Sequence, residues 1–170
     1  MAEEKTNHDE ITRSKQALKA QEFAKPWLIR AYAPEDCESL VALWQQCGLT
    51  RAWNNPYLDI ERKRANRPEW LRIAEVQRSA QRWELIGSIM IGYEGHRGWV
   101  NYLAVQPRWQ GRGLGRALMA EAEKRLLAEG CPKLSLLARC DNEAVRAFYQ
   151  RLGYGVDQAI AMGKRLIPDD

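Results

Sequence analysis

Histidine is scarce, with two in 170 residues, and the four cysteines at positions 37, 47, 131 and 140 make no C-x-x-C pair. Structural zinc needs clustered cysteine and histidine ligands, so no metal is expected. Scattered thiols behind a polar Met1-Ala2-Glu3-Glu4-Lys5 start, without an apolar signal-peptide core, lead us to expect a reducing, cytoplasmic setting. No run approaches the ~20 apolar residues that span a bilayer, so no membrane association is expected. Neither sign of charge dominates: the net charge is +4. With no concentrated basic block and no recognition motif, nucleic acid is not an expected partner.

What is present is an ordinary globular composition, 45% apolar and 28% charged, long enough for one domain with a proper core. Residues 1–25 are polar and read as a tail, helical or disordered; 26–168 read as the domain. Trp27 to Tyr32 suggests a strand, and Pro34-Glu35-Asp36 opens a helix whose Cys37, Leu40, Val41 and Trp44 fall on one face. Tyr57 to Arg67 reads as a second helix. Trp70–Gln77, Arg82–Tyr93 and Gly98–Val105 read as strands, with Gly87 at a bulge or edge. Leu114 to Glu129 reads as a helix with Leu114, Leu118, Ala122 and Leu126 in line, stopped by Gly130 and Pro132. Lys133–Ala138 suggests an interior strand, and Asp141-Asn142 caps a helix running to Leu152. Tyr154–Asp157 and Ala159–Lys164 suggest a closing hairpin, whose edge strand at 159–165 leaves room for a homodimer. The order predicts an α/β (α+β) fold, a mixed sheet with helices on both faces.

Gln110-Gly111-Arg112-Gly113-Leu114-Gly115-Arg116 joins a strand to a helix. Three glycines remove Cβ atoms from the turn, so backbone N–H groups can converge on an anion at a helix N-terminus. The helix dipole places roughly half a positive charge there, and Arg112 and Arg116 add whole ones. The spacing is neither the dinucleotide G-x-G-x-x-G nor a P-loop, since no Gly-Lys-Ser/Thr follows. A diphosphate cradle and a plain helix entry both fit.

Gln110-x-x-Gly113-x-Gly115 resembles the Q/R-x-x-G-x-G/A signature of the GNAT N-acetyltransferases, in which this turn holds the pyrophosphate of acetyl-CoA. A second stretch, Asn142-Glu143-Ala144-Val145-Arg146-Ala147-Phe148-Tyr149 followed by Gly153-Tyr154, resembles the family's asparagine-to-tyrosine helix motif. The element order over about 27–167 is also the GNAT order, which implies a mostly antiparallel central sheet. Gly92-Tyr93-Glu94-Gly95-His96-Arg97-Gly98 and Cys131-Pro132-Lys133 resemble the small bacterial YpeA-type acetyltransferases. The resemblance implies an acyltransferase that uses acetyl-CoA as co-substrate and acetylates a primary amine of a small molecule or protein, by direct attack in a ternary complex.

Residue by residue, the resemblance makes Tyr149 the acid that protonates the departing thiolate. It gives Asn142 a hydrogen bond to the cofactor, although a helix cap serves as well. Leu103, Ala104 and Val105 match the strand that pairs with pantetheine, and Gln110, Gly111, Arg112, Gly113, Leu114, Gly115 and Arg116 match the phosphate contacts. Where GNAT enzymes of protein N-termini carry a glutamate five residues before the asparagine, this chain has Leu137, which accepts no proton. An alkylamine with a pKa near 10 is only about 0.1% neutral at pH 7, so a base should help. Glu94, with His96 close by, is the candidate; a surface turn is the alternative. Trp53 and Asn54, in the loop after the first helix, are candidate acceptor contacts. Cys131 and Cys140 lack an activating base nearby in sequence, which argues against an acetyl-cysteine route. A module that binds CoA without transferring acetyl is the competing reading.

Overall fold

The computed structural model describes residues 26–167 and 169; the expected tail over 1–25 lies outside them. β1 (Leu28–Ala31) leads through a short 3-10 turn into α1 (Cys37–Gln46). That entry is fixed by Asp36, whose carboxylate accepts the Ala33 N–H at 2.8 Å and pairs with Arg30 at 2.7 Å. α2 (Pro56–Arg64) starts where the Asn55 side chain accepts the Tyr57 N–H at 3.0 Å, with proline in the first turn. β2 (Leu71–Ser79), β3 (Arg82–Tyr93) and β4 (Gly98–Val105) follow as an antiparallel meander. α3 (Leu114–Ala128) then crosses to β5 (Leu134–Leu136), parallel to β4, and α4 (Glu143–Arg151) completes the described elements.

The five strands lie in chain order, mostly antiparallel, with helices on both faces. Strand alternation sends Leu71, Ile73 and Ala104 toward α1 and α2, where Leu40, Trp44 and Ile60 are fully or almost fully buried. The opposite face sends Ile86, Ile89, Ile91 and Val100 against Leu114, Leu118, Ala122 and Leu126 of α3. Gly87 sits at the expected bulge, in a central strand. A Cβ there would lie 3.1 Å from Leu118 Cδ1 and 3.2 Å from the Ala104 carbonyl, so the close approach of α3 also requires glycine.

Two expectations are corrected. The stretch 133–138 forms only the three-residue β5, which is the last strand among the described residues and not an interior one. The closing hairpin is absent: 154–157 and 159–164 are irregular, and Val156 and Ile160 are exposed. No residue between Tyr154 and Lys164 takes the positive φ that a tight hairpin turn demands. The edge strand at 159–165, on which a subunit contact rested, is therefore missing as well. Among the described residues no helix is long and apolar enough to cross a membrane.

Candidate active site

β4 positions everything that follows. It pairs with β5 only from Gly98 to Val100, against Leu134 to Leu136, and then runs on to Val105 without that neighbour. Opposite β3 it carries a bulge: Ser88 faces Ala104 and Met90 faces Asn101, so β4 has one residue more. Tyr102 takes up the excess with a left-handed φ of 49°, unusual for a bulky residue. Three direct contacts and one indirect one hold it there. Its ring stacks on Trp44 at 3.8 Å, its carbonyl accepts Ser88 Oγ–H at 3.0 Å, and Trp44 Nε1 donates to the same Ser88 hydroxyl at 2.9 Å. Its own hydroxyl donates to Asp59 Oδ2 at 2.5 Å. Burial and the Asp59 carboxylate together push its pKa well above the ordinary phenol range.

Beyond β4, the glycine turn leads into α3. Gly111 and Gly113 have φ of 72° and 86°, and a Cβ on either would meet nothing within 4 Å. Glycine is needed there for the backbone, and the space in front is open. Gly113 is the N-cap of α3 and supplies no side-chain cap, so the first N–H groups of the helix stay available to a ligand. Gly115 is needed for a different reason: a Cβ would lie 3.2 Å from Phe148 Cζ, so α4 packs against the start of α3 only because the side chain is missing. Arg112 lies 5.3 Å from the Trp109 ring, and neither it nor Arg116 pairs with an acid among the described residues. Gln110 turns inward and donates Nε2 to the Val105 carbonyl at 3.0 Å, tying the turn to β4. Leu114 is fully buried and anchors the helix. Leu103 and Val105 side chains pack on the α3 side and Ala104 on the α1 side; the Val105 carbonyl is taken by Gln110 and by the Cys47 thiol at 3.4 Å, so a partner would meet the backbone before it.

On the α1–α2 side a cavity of about 980 Å³ collects residues from several separate segments. Trp53 and Asn54 come from the loop before α2, Asp59, Arg62 and Lys63 from α2, Glu94 from the β3–β4 turn, and Tyr102 from β4. The structure thus brings together three of the predicted residues, Trp53, Asn54 and Glu94. Trp53 is exposed, whereas Asn54 is committed: its Nδ2 donates to Asp59 at 2.6 Å and to the Tyr102 hydroxyl at 3.0 Å. Partial desolvation raises the pKa of Glu94, but the Arg97 N–H, which it accepts at 2.7 Å, and the nearby His96 outweigh this and hold it below the usual carboxylate range.

Tyr149 does not line this cavity. It sits half-buried on α4, edge-on to Phe148 at 5.1 Å and to Tyr154 at 5.8 Å, and burial pushes its pKa up to about 12. Its hydroxyl makes no hydrogen bond to the described residues, so its proton is free for a ligand. Asn142 caps α4 through Oδ1, which accepts the Val145 N–H at 3.1 Å, and its amide nitrogen is left over. All four cysteines are free thiols, Cys131 buried and Cys140 exposed.

Sequence reasoning missed Asp59, Arg62, Lys63 and Tyr102. One signal for the first three was available: α2 is rich in charge and fully buries only Ile60, which suits a helix facing a polar cavity.

A family model for the acetyltransferase (GNAT) family matches residues 27–154. The chain belongs to the GNAT acetyltransferase family. An acetyltransferase of Pectobacterium atrosepticum is 45% identical over 141 residues, covering 83% of this chain and 96% of its own. One of Sodalis glossinidius is 46% identical over 142 residues, with the same coverage. Among solved structures, Ard1 of Thermoplasma volcanium superposes with a TM-score of 0.68 at 23% identity, over 78% of this chain and 85% of that one. A NatC complex bound to Gag peptide and CoA gives 0.63 at 19% identity, over 75% and 84%. At these identities the structures speak for the GNAT fold alone. The glycine turn, β4 and α4 all fall inside the family match, and the protein is an acetyltransferase.

Proposed function

We propose that this GNAT acetyltransferase, of the small bacterial YpeA type, moves the acetyl group of acetyl-CoA to a primary amine by direct attack in a ternary complex. Its domain spans 26–168, and it works in the cytoplasm. The observation that carries the reading is a junction. The uncapped start of α3, with two arginines that pair with no acid among the described residues, meets the open length of β4, and the acceptor cavity reaches Tyr102 on that same strand. Acetyl-CoA would supply an activated thioester. Gly111, Gly113 and the first N–H groups of α3 fit its diphosphate, with Arg112 and Arg116 flanking it. The backbone of Leu103–Val105 fits an extended pantetheine arm. Tyr149 keeps its proton through neutral pH, as a group that protonates a departing thiolate must. Glu94 is the carboxylate available to accept a proton from the amine, directly or through water, while Trp53 and Asn54 contact the acceptor.

One observation favours a second reading, a module that binds CoA without transfer: Tyr149 lies outside the cavity lining and Glu94 is a weakly basic carboxylate. Thermal unfolding with and without acetyl-CoA, followed by an amine screen, separates the two. Ligand at 100 times its Kd adds ~2.7 kcal/mol, roughly 5–10 °C for a domain of this size. A shift with transfer supports the enzyme, a shift without transfer to any amine supports the module, and no shift at millimolar acetyl-CoA removes both.

A further inference from the structure

The cavity has more cations than anions. Arg51, Arg62, Lys63 and Arg67 line it, against Asp59 and Glu94. Arg51 donates to the Gly48 and Thr50 carbonyls, at 2.7 and 2.8 Å, and Lys63 donates Nζ to the Ile91 carbonyl at 2.6 Å. Neither hydrogen-bonds a carboxylate among the described residues.

Arg67 pairs with Glu129 at 3.1 Å, and the fourth cation holds a carboxylate from an unexpected place. Arg62 donates NH2 to Asp169 Oδ1 at 2.6 Å, while its NH1 reaches Asp59 only at 3.3 Å. Asp169 is 7% exposed, although the arm that delivers it is not packed: Ile160, Met162 and Leu166 are 90%, 93% and 86% exposed. An acidic side chain beyond this exposed stretch has therefore settled beside the cavity, on the Arg62 guanidinium. A charged group leaves water in this way only where a fixed partner replaces the lost hydration.

We propose that Arg62 is the anion-recognition point of the acceptor site, that the acceptor is an amine which also carries a carboxylate, and that Asp169 occupies this point as a competing carboxylate. The proposal rests on the assignment of the cavity to the acceptor. A guanidinium with two parallel N–H groups matches a carboxylate better than a neutral amide. Arg51 and Lys63 add a field that draws an anion into the cavity. Displacing Asp169 would strip no packing from Ile160, Met162 or Leu166, which are already exposed.

The test is binding of matched amine pairs to the full chain, amino acids and short peptides against their carboxamides, by calorimetry in the absence of acetyl-CoA. The carboxylate member is expected to bind about tenfold tighter, and Arg62→Gln to abolish that preference. Asp169→Asn, which removes the competitor, is expected to tighten the carboxylate member and leave the carboxamide alone. Should Arg62→Gln fail to fold, the Asp169→Asn pair still decides. Equal binding of the two members in both wild type and Asp169→Asn would overturn the proposal. Tighter binding of 2-aminoethyl phosphate than of every carboxylate would overturn the choice of anion. Acetyl transfer is scored separately: its absence with a clear carboxylate preference would sink the transferase reading and still support the anion site.

Discussion

The glycine turn presents backbone to the open space before it, and the cavity on the α1–α2 side presents side chains. From Gly111 to Gly115 the donors are main-chain N–H groups fixed by one turn and one helix, with open space before them. Across β4, a chain of side chains does the work: Trp44 holds Ser88, Ser88 holds the Tyr102 carbonyl, and Tyr102 and Asn54 hold Asp59. A backbone cradle depends on few residue identities and suits a ligand shared by a whole family. A side-chain network depends on every member and can be retuned for one acceptor. The site thus joins a general half to a particular half at a single strand.

That division is open to attack from both sides. Tyr149→Phe removes a proton that neither half replaces, and should lower kcat by about 10²-fold with the KM for acetyl-CoA little changed; unchanged turnover in a steady-state assay would take Tyr149 out of the mechanism. Because the Tyr149 pKa is raised to about 12, the phenol stays protonated over the working range. The rate should therefore climb with pH as the amine loses its proton, about tenfold per unit below pH 10. A fall already at pH 9 would mean that some other acid is at work.

Gly115→Val forces a side chain into Phe148, which lies 3.2 Å from even a bare Cβ. A loss of about 1–3 kcal/mol in chemical denaturation is expected, with turnover falling as α4 shifts. Trp44→Phe attacks the other half, leaving Ser88 with one partner fewer and the Tyr102 bulge less constrained. It should cost about 1–3 kcal/mol and raise the KM for the acceptor while that for acetyl-CoA holds; equal changes in both would show that the halves are not separable. The smallest effect is expected from the Arg112/Arg116 double alanine, about tenfold in acetyl-CoA affinity by titration, with acceptor binding untouched.

The same contrast explains what could be read from the sequence. β4 was predicted with its observed ends and α3 within one residue, because glycine, proline and a four-residue apolar step are local signals. The glycine turn into α3 was equally visible. The cavity was seen only in outline, through Trp53, Asn54 and Glu94. Its centre, Tyr102, adopts a backbone conformation that tyrosine avoids, and is held there by Trp44 and by Asp59, 43 residues away. No local pattern carries such a constraint. The closing hairpin expected over 154–157 and 159–164 failed for the opposite reason: its turn signal was poor, and no residue there takes the positive φ of a tight turn.

The unequal pairing of β4 has a consequence for how the molecule breathes. Its first three residues are clamped between two strands, and among the described residues the remainder has β3 on one side alone. Deuterium should therefore enter unevenly along a single strand, slowly near Val100 and faster toward Val105 on the free edge. A cofactor arm lying along that edge would act as a temporary sixth strand, and its arrival would be recorded amide by amide. The protein carries its own occupancy gauge in the half of β4 that its fold leaves unfinished.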